Sequence, residues 1–482
     1  MKRDNSSTGP SPADPAQSAP HLAEGGGPLR SALRATVRVD RALTELRRGR
    51  PVRLTGGDAG ELIVAAVETL SPVWWQALDT PAVPDLDKQA ASAPDAPRTL
   101  AEKVESVAGP GLDPLSFASD PVDIRLVLSA ERAQALGWPR NAVRVLPANV
   151  VSVSLYQGSA APGVPPAPPP GTAVVVRLPA GFDVDRLAAL AGLAPDSGLE
   201  PGAGSAALQS LDPDRIGAAG GPAAASWAAA LEMARLARLV PAIVVVPAPV
   251  PGGGDDALLA VDVADLDAFP HDRAMTLMRV SEAPVPLAGH EDSRFVLFRE
   301  AAADVEHVAI VVGDPDPTAP VMVRLHSSCL TGDLFGSLRC DCGDQLRGAI
   351  DRLGEAGGGV LLYLAQEGRG IGLANKLRAY THQDTGVDTI DADRYLGFRG
   401  DERRFDVAVQ MLRSLGITQV RLLTNNPGKI DALRAAGLDV VERLPIGGLV
   451  NRHNERYLAT KRDRAGHLID VSIPAVPARQ AR

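Results

Sequence analysis

The residues best suited to chemistry are three cysteines that lie close together. Cys329, Cys340 and Cys342 are the only cysteines among 482 residues. Thiolates are soft ligands that suit zinc, and three protein ligands with an open fourth position form the arrangement of a catalytic zinc. Three free or buried thiols, or one disulfide with a spare thiol, are the alternatives. Confinement to 14 positions of an otherwise cysteine-free chain favours the metal site.

The sequence around these cysteines is specific. It reads RLHSSCLTGD from Arg324 to Asp333 and LRCDCGDQ up to Gln345. This closely resembles the signature of GTP cyclohydrolase II, and the resemblance extends from about Val280 to Leu468. It implies that the three cysteines hold a catalytic zinc.

A glycine-rich segment, QEGRGIG, follows at 366–372. Glycines let a backbone approach a phosphate, but alone this pattern is only a weak dinucleotide signal. Beside the cysteines it resembles the Q-E-G-R segment of the same family, which implies that Glu367, Gly368 and Arg369 hold the nucleotide. Glu367 could accept from guanine, while Arg369 suits a phosphate or ribose, or forms a surface ion pair.

Three further residues are candidates for the chemical steps. Tyr380 lies in NKLRAY, which resembles N-K-x-R-A-Y of the family, and is either a proton donor or positioner, or a core residue. In the family, residues matching Asp401 and Arg403 are the proposed base and nucleophile, although Asp401 could instead cap a helix. Because a guanidinium stays protonated past pH 12, stabilisation of transition-state charge is at least as plausible for Arg403.

A phosphate cradle is predicted at TNNPGK, residues 424–429, where a strand ends and a helix opens with an early proline. A plain turn with a capping Asn is the alternative. The motif matches T-N-N-P-x-K of the family. The resemblance implies a GTP-binding set consisting of Arg324, Leu325, His326, Ser327, Ser328, Gln345, Glu367, Gly368, Arg369, Thr389, Thr424 and Lys429.

Alternating strands and helices are expected to position these residues. A strand over Val321–Leu325 delivers Arg324 and His326 into the cysteine loop. Further predicted elements are a helix at Asp344–Leu353, strands at Gly359–Leu364 and Val420–Leu423, and helices at Ile371–Tyr380 and Arg404–Leu415.

The N-terminal half has a separate pattern of elements. It predicts helices at Val39–Arg48, Glu61–Leu70 and Ala228–Leu239, and strands at Val52–Leu54, Asp123–Leu128 and Ala242–Val246. Their order is similar to 3,4-dihydroxy-2-butanone 4-phosphate synthase. The acidic run that supplies that family's metal ligands is missing, and Asp58 and Glu61 are expected to be solvated turn residues. We therefore expect a degenerate synthase-like domain without that activity.

A length of 482 residues suggests two or three domains. The alternation of strands and helices indicates an α/β protein of mixed (α+β) sheets, which we interpret as two domains. The boundaries are a disordered tail at 1–30, a synthase-like domain at 31–270, a cyclohydrolase domain at 275–470 and a C-terminal tail at 471–482. Net charge is −9, so no nucleic-acid or membrane partner is expected. Neither a signal peptide nor a membrane span is predicted, and the few cysteines fit a cytoplasmic location.

The resemblance implies conversion of GTP to 2,5-diamino-6-ribosylamino-4(3H)-pyrimidinone 5′-phosphate, formate and pyrophosphate, the first committed step of riboflavin synthesis. Zn²⁺ in each subunit, Mg²⁺ with the triphosphate and a homodimer are expected. Ser328 and Ala365 depart from the family, where Glu and Arg are common. Alternatives are a relative with another substrate or product, a bifunctional enzyme, and a non-catalytic GTP-binding regulator.

Overall fold

The computed structural model describes two sheets, each of seven strands, with helices on their faces. The described residues are 28–78, 124–129, 132–133, 136, 144–145, 151–152, 173–178, a few positions between 185 and 193, 216–218, 224–248, 258–301, 305–384, 386–464, 466 and 468. The expected α/β architecture of two domains with mixed sheets is confirmed.

The first sheet is formed by the N-terminal half. Its strands are β1 (Val52–Thr55), β2 (Leu62–Ala66), β3 (Arg125–Ser129), β6 (Ala173–Arg177), β7 (Ile216–Ala218), β8 (Ala242–Pro247) and β9 (Ala260–Asp262), and a separate pair consists of β4 (Arg144–Val145) and β5 (Val151–Ser152). The helices are α1 (Pro28–Arg47), α2 (Pro72–Leu78), α3 (Ala224–Leu236) and α4 (Val263–Met275).

The strand order of this sheet is β7-β6-β3-β8-β2-β1-β9, antiparallel except for β1 with β9. Apolar side chains cover both faces, in one cluster that includes Trp75 and Leu126 and in another that includes Leu43 and Trp227. The sheet is therefore the centre of a three-layer core.

The second sheet is formed by the C-terminal half. Its strands are β10 (Leu277–Pro284), β11 (Arg294–Glu300), β12 (Glu306–Gly313), β13 (Val321–Ser327), β14 (Gly358–Leu364), β15 (Gln419–Leu423) and β16 (Asp439–Leu444). The helices are α5 (Leu330–Asp333), α6 (Cys342–Glu355), α7 (Leu373–Asp384), α8 (Thr389–Tyr395), α9 (Asp406–Ser414), α10 (Pro427–Ala435) and α11 (Glu455–Asp463).

The order of this sheet is β10-β11-β12-β14-β13-β15-β16, and the pairs from β14 to β16 are parallel. Parallel strands end at the same edge of a sheet, where α/β proteins bind ligands. Along β13, Val323 and Leu325 enter the core that also includes Met411. Arg324 and His326 alternate to the other face.

One predicted element of the N-terminal half is wrong. Residues Glu61–Leu70 do not form a helix, because Leu62–Ala66 is the buried strand β2, paired with β1 and β8. A short continuous apolar run fits either element by periodicity, and burial between two strands decides for a strand. The other predicted strands and helices, apart from three helices, lie within about two residues of observed elements wherever the structure describes them. Helices α1 and α7 extend further than predicted, and α3 spans Ala224–Leu236 instead of Ala228–Leu239.

The predicted tails fall almost entirely outside the described residues, although α1 already begins at Pro28. The boundary expected between 270 and 275 lies inside α4. In the part of the chain that the structure describes, no helix has the length and apolar character needed to cross a bilayer.

Asp58 has a structural role in the first domain. Its carboxylate accepts hydrogen bonds from the backbone N–H groups of Ala225 and Ser226 at 3.2 and 3.0 Å, and from the Ser226 hydroxyl at 2.7 Å. These are orphan donors of the first turn of α3, so Asp58 caps that helix. Glu61 pairs with Arg53 at 3.5 Å. The absence of synthase activity stays a prediction.

Candidate active site

The candidate site lies at the carboxyl edge of the parallel strands. β13 runs into the cysteine loop, β14 into the segment 365–372, and β15 into the segment 424–429. Loops from the α7–α9 region cover the opposite side. Together they enclose a cavity of about 400 Å³.

The three cysteines converge on one point of this cavity. Their sulfur atoms all lie within 4.8 Å of one another, and those of Cys329 and Cys340 are 3.7 Å apart. Two thiolates each about 2.3 Å from a tetrahedral zinc lie about 3.8 Å apart, so this spacing fits zinc. A Cβ on Gly332 would lie 2.8 Å from the Cys340 sulfur, so glycine leaves the loop room to wrap the triad.

Lys376 and Asp333 support the cysteine loop. Lys376 Nζ donates to the Cys329 sulfur at 3.1 Å and to Glu367 at 2.8 Å. The Asp333 carboxylate accepts from the backbone N–H of Cys329 at 2.9 Å and from the Tyr363 hydroxyl at 2.9 Å, and also contacts His326 Nε2. The loop is therefore held by side chains of β13, β14 and α7.

The three thiols share their protons unequally. Hydrogen bonds from Cys340 and Cys342, together with the Lys376 charge, lower the pKa of Cys329. The hydrogen bond to Cys329 raises the pKa of Cys340 to about 11, and the same partner raises the pKa of Cys342. Cys329 is thus the first thiolate of the set, and a bound cation would be needed to ionise the other two.

Glu367 and Arg369 lie on a strained turn. Gly368 and Arg369 both have left-handed backbones, with φ of 62° and 60°. Glu367 accepts from the backbone N–H of Leu330 at 2.6 Å, which ties the turn to the cysteine loop. Arg369 pairs with buried Asp393 at 2.5 Å, and burial raises the pKa of that carboxyl to about 7. Strain at a non-glycine residue persists only where its surroundings hold it.

A chain of polar contacts lines the floor of the cavity. Arg324 donates to Gln345 at 2.6 Å, Gln345 to Asp341 at 2.5 Å, and Lys461 to Asp341 at 3.0 Å. Burial opposes the charged form of Lys461, but Asp341 and Tyr457 outweigh it and raise its pKa. Burial lowers the pKa of Arg324 to about 10, which still leaves it cationic at neutral pH.

The segment after β15 forms a compact turn. Thr424 accepts from the Asn426 backbone N–H at 3.0 Å, and Asn426 caps α10 by accepting from Gly428 N–H at 2.9 Å. Lys429 reaches back to the carbonyl of Leu325 at 2.7 Å. Burial and the nearby cations Arg324 and Arg403 lower the pKa of Lys429, so an anion bound here would favour its charged form.

Asp401 and Arg403 form a bidentate pair, with contacts of 2.8 and 2.5 Å. Burial opposes ionisation of both groups. The mutual hydrogen bonds and charges outweigh it, lowering the pKa of Asp401 and raising that of Arg403. Tyr380 faces the same cavity beneath Arg339, whose guanidinium carbon lies 4.9 Å from the ring centre, and burial raises its pKa.

Almost the whole predicted set of site residues lies around this cavity. Leu325 is the exception, because its side chain is fully buried in the core and only its carbonyl reaches the site, through Lys429. The lining residues that were predicted are Arg324, His326, Ser327, Ser328, Cys329, Cys340, Cys342, Gln345, Glu367, Gly368, Arg369, Tyr380, Thr389, Asp401, Arg403, Thr424 and Lys429.

Several residues of the site were not among the predicted site residues. Tyr457 and Lys461 are four positions apart on α11, a helical spacing within a segment that already matched the family. Asp341 stands between two of the cysteines, a position that could have indicated its role. No local sequence pattern indicates that Asp393 belongs to the site, since only the fold brings it to Arg369.

The charge of the cavity contrasts with that of the whole chain. Nine cationic and three acidic side chains line it, while the net charge of the chain is −9. The cations are Arg324, Arg339, Arg369, Lys376, Arg394, Arg403, Lys429, Lys461 and Arg464. Such a cavity attracts anions and focuses them beside the cysteine triad.

Comparison with known proteins agrees with this geometry. The family model described as GTP cyclohydrolase II matches residues 278–445. GTP cyclohydrolase-2 of Cronobacter sakazakii is 52% identical over 195 residues, which is 40% of this chain and 98% of that relative. The chain belongs to the GTP cyclohydrolase II family.

Two longer relatives place this family membership in context. GTP cyclohydrolase-2 of Azospirillum brasilense is 52% identical over 246 residues, 50% of this chain and 64% of that protein. Riboflavin biosynthesis protein RibBA of Phocaeicola vulgatus is 44% identical over 254 residues, 50% of this chain and 62% of that protein. The matched part of the chain therefore spans less than two thirds of these longer GTP cyclohydrolase II relatives.

One solved structure extends over both halves of the chain. It is RibBX of A. baumannii, titled a two-domain 3,4-dihydroxy-2-butanone 4-phosphate synthase, with 17% identity, 85% of this chain and 99% of that chain covered, and a TM-score of 0.26. A score this low carries no argument about the first domain of this GTP cyclohydrolase II family member.

Proposed function

We propose that this protein hydrolyses GTP as a GTP cyclohydrolase II, yielding 2,5-diamino-6-ribosylamino-4(3H)-pyrimidinone 5′-phosphate, formate and pyrophosphate. The observation that carries the proposal is the joining of two sites in one cavity. The cysteine triad lies at one end, and the cationic segment with Thr424 and Lys429 lines the same space. A purine triphosphate has a ring to open and an anionic tail to hold, and the cavity supplies a place for each.

Cys329, Cys340 and Cys342 would hold zinc, which supplies Lewis-acid activation of water for hydrolysis at guanine C8. Lys376 donates a hydrogen bond that favours the thiolate form of Cys329, and Asp333 accepts from the backbone N–H of that ligand. Tyr380 lines the same cavity as the triad and would position or protonate the opening ring. The proposed metal end is thus preorganised by hydrogen bonds from three elements.

Glu367 would read guanine. Its Oε2 accepts one hydrogen bond in the structure, from Leu330 N–H, and a carboxylate oxygen has a second lone pair for a guanine donor. The His326, Ser327 and Ser328 segment, with Gln345 and Thr389, would complete the pocket.

Arg324, Arg369, Thr424 and Lys429 would hold phosphates, with Mg²⁺ neutralising part of the triphosphate charge. The depressed pKa of Lys429 supports this assignment, because a group crowded by cations gains most from an incoming anion.

Asp401 and Arg403 would act at the α-phosphate. Asp401 stays ionised and can accept a proton from water. Arg403 has a raised pKa and two hydrogen bonds to Asp401, which argues against a neutral nucleophilic guanidine. We therefore assign Arg403 to stabilisation of transition-state charge rather than to a covalent adduct.

The test is incubation of zinc-loaded protein with GTP and Mg²⁺, following formate, pyrophosphate and the pyrimidine by mass spectrometry. Cys340→Ser should yield no formate. Leu338→Ser is the matched control, because it introduces serine at an exposed position two residues away and leaves all three thiols. Pyrophosphate without formate would indicate a relative with another product, and GTP binding without turnover would indicate a regulator.

A homodimer in the cytoplasm is part of the same proposal. The triad requires reduced thiols, which fits a reducing compartment. Sedimentation equilibrium of the zinc-loaded chain measures the oligomeric state directly, and a mass of one chain at micromolar concentration would contradict the dimer.

A further inference from the structure

The first domain contacts the second at the loops that carry the candidate catalytic residues. One contact is made by Arg132, which follows β3 and is 2% exposed. Its guanidinium donates to the Ala191 carbonyl at 2.7 Å within its own domain, and to the Tyr395 carbonyl at 2.7 Å in the other. Breaking the second bond would leave a buried charged donor unsatisfied, so the end of α8 is firmly held.

Gly397, two residues further on, packs directly on the first domain. It has φ of 89°, and a Cβ there would lie 3.0 Å from Ser129 Oγ, 3.2 Å from Arg132 Cβ and 3.3 Å from Pro241 Cδ. Arg235 of α3 also donates to the Gly397 carbonyl at 3.3 Å. The backbone at Gly397, which leads to Asp401, is therefore packed tightly against the first domain.

An ion-pair chain links the first domain to the catalytic loop itself. Glu232 of α3 accepts from Arg399 at 2.7 Å, and Arg399 also contacts Glu402 at 3.2 Å. The Glu402 backbone N–H donates to the Arg369 carbonyl at 3.0 Å. An exposed pair of this kind contributes little stability, so its importance here is the position it gives to residues on either side of Glu402.

The first domain also contacts the loop 365–372. Arg238 has a left-handed backbone with φ of 59° and donates to the Ala365 carbonyl at 3.3 Å. Its own carbonyl accepts from Asn375 at 2.8 Å, and a Cβ on Gly372 would lie 3.3 Å from its Cδ. Residues 365–372, which include Glu367 and Arg369, thus rest against the first domain.

We propose that the first domain is a brace for the two loops 365–372 and 397–403, and that Arg132, Glu232 and Arg238 are positioning residues for the hydrolysis of GTP. The kinetic readout rests on the proposed function. Catalysis depends on placement to within about 1 Å, and side chains on loops need support from rigid elements to reach it. The brace supplies that support from outside the catalytic sheet.

The test compares two glycine substitutions in the full zinc-loaded chain. Gly397→Ala places a Cβ against the brace, whereas Gly437→Ala, with a similar φ of 82°, meets nothing within 4 Å. Both add backbone strain, so their difference reports the domain contact. We expect Gly397→Ala to lower kcat between about 10-fold and 100-fold relative to Gly437→Ala, with zinc content unchanged and KM changed far less.

Two further variants separate positioning from folding. Glu232→Gln leaves the buried contacts in place and should lower kcat without changing the melting temperature. Ser129→Ala removes the nearest atom facing Gly397, so adding it to Gly397→Ala should recover part of the lost kcat. Equal kinetics for the two glycine variants, or a kcat loss that parallels loss of zinc, would overturn the proposal.

Amide hydrogen exchange tests the brace independently of activity. Gly397→Ala should speed exchange in 397–403, while Gly437→Ala should not. If the wild type fails to hydrolyse GTP, the proposed function is wrong. The exchange comparison still decides whether the first domain holds the loop 397–403 in place. Unchanged exchange in Gly397→Ala would overturn it.

Discussion

Lys376 donates a hydrogen bond to the sulfur of Cys329 over 3.1 Å. The same ammonium group contacts Glu367 at 2.8 Å and the Thr331 hydroxyl at 3.0 Å. One side chain of α7 therefore joins the proposed metal ligand to the proposed guanine-reading carboxylate. The proposed zinc site and the proposed guanine site are thus positioned by the same ammonium group.

Lys376→Met should weaken zinc binding between about 10-fold and 100-fold, because it removes the hydrogen bond that supports the Cys329 thiolate. Competition with a chromogenic chelator measures the affinity. Lys429→Met is the matched control, since this lysine is also buried but contacts the Leu325 carbonyl instead of a cysteine. Equal zinc affinities for the two variants would contradict the assignment.

Gly332→Ala should yield protein with less than one zinc per chain, because the new Cβ would lie 2.8 Å from the Cys340 sulfur and 3.1 Å from the Cys329 sulfur. Metal analysis after gel filtration gives the stoichiometry. Gly348→Ala on α6 meets nothing within 4 Å and should retain full occupancy. Full occupancy in both variants would mean that the loop has more room than the structure describes.

Zinc removal should expose three reactive thiols where the loaded protein exposes none, since the chain has no other cysteine. In the metal-free protein, one thiol should react ahead of the others at pH 6, because the neighbours of Cys329 lower its pKa. Thiol titration over time measures both. Cys329→Ser should lose the fast phase, and loss of a slow phase instead would assign the thiolate to another cysteine.

Asp401→Asn should lower kcat by about 100-fold to 10,000-fold if Asp401 is a general base. Because the pKa of Asp401 is lowered, the carboxyl is ionised throughout pH 5.5–8.5, and the ratio of wild-type to variant kcat should be constant over that range. Rate profiles of both proteins measure the ratio. A ratio that collapses towards pH 5.5 would place the pKa of Asp401 above its usual value.

Local sequence predicted most of the site, because its residues lie in short strings at strand ends, such as 324–329, 366–369 and 424–429. Parallel strands then bring those strings to one edge. The side chain of Leu325 does not line the cavity, because Leu325 lies between Arg324 and His326 on β13 and a strand period of two directs it to the opposite face. Its role in binding GTP, through its carbonyl, stays a prediction.

The local sequence does not predict contacts between side chains that lie far apart in the chain. The pairing of Arg369 with Asp393, and of Lys461 with Asp341, joins segments separated by 24 and 120 positions. The contacts of Arg132 and Arg238 with the catalytic loops likewise depend on how two domains pack. Glu61–Leu70 was misassigned because a buried apolar run has no periodicity of its own.

The parallel pairing of β1 with β9 has a consequence for synthesis. Arg53 pairs with Ala260, so β1 cannot pair with β9 until 207 further residues have been synthesised. At about 5–20 residues per second, this delay is about 10–40 s. During that time one edge of β1 presents unpaired backbone N–H and C=O groups, and we expect the nascent chain to depend on chaperone shielding until β9 leaves the ribosome.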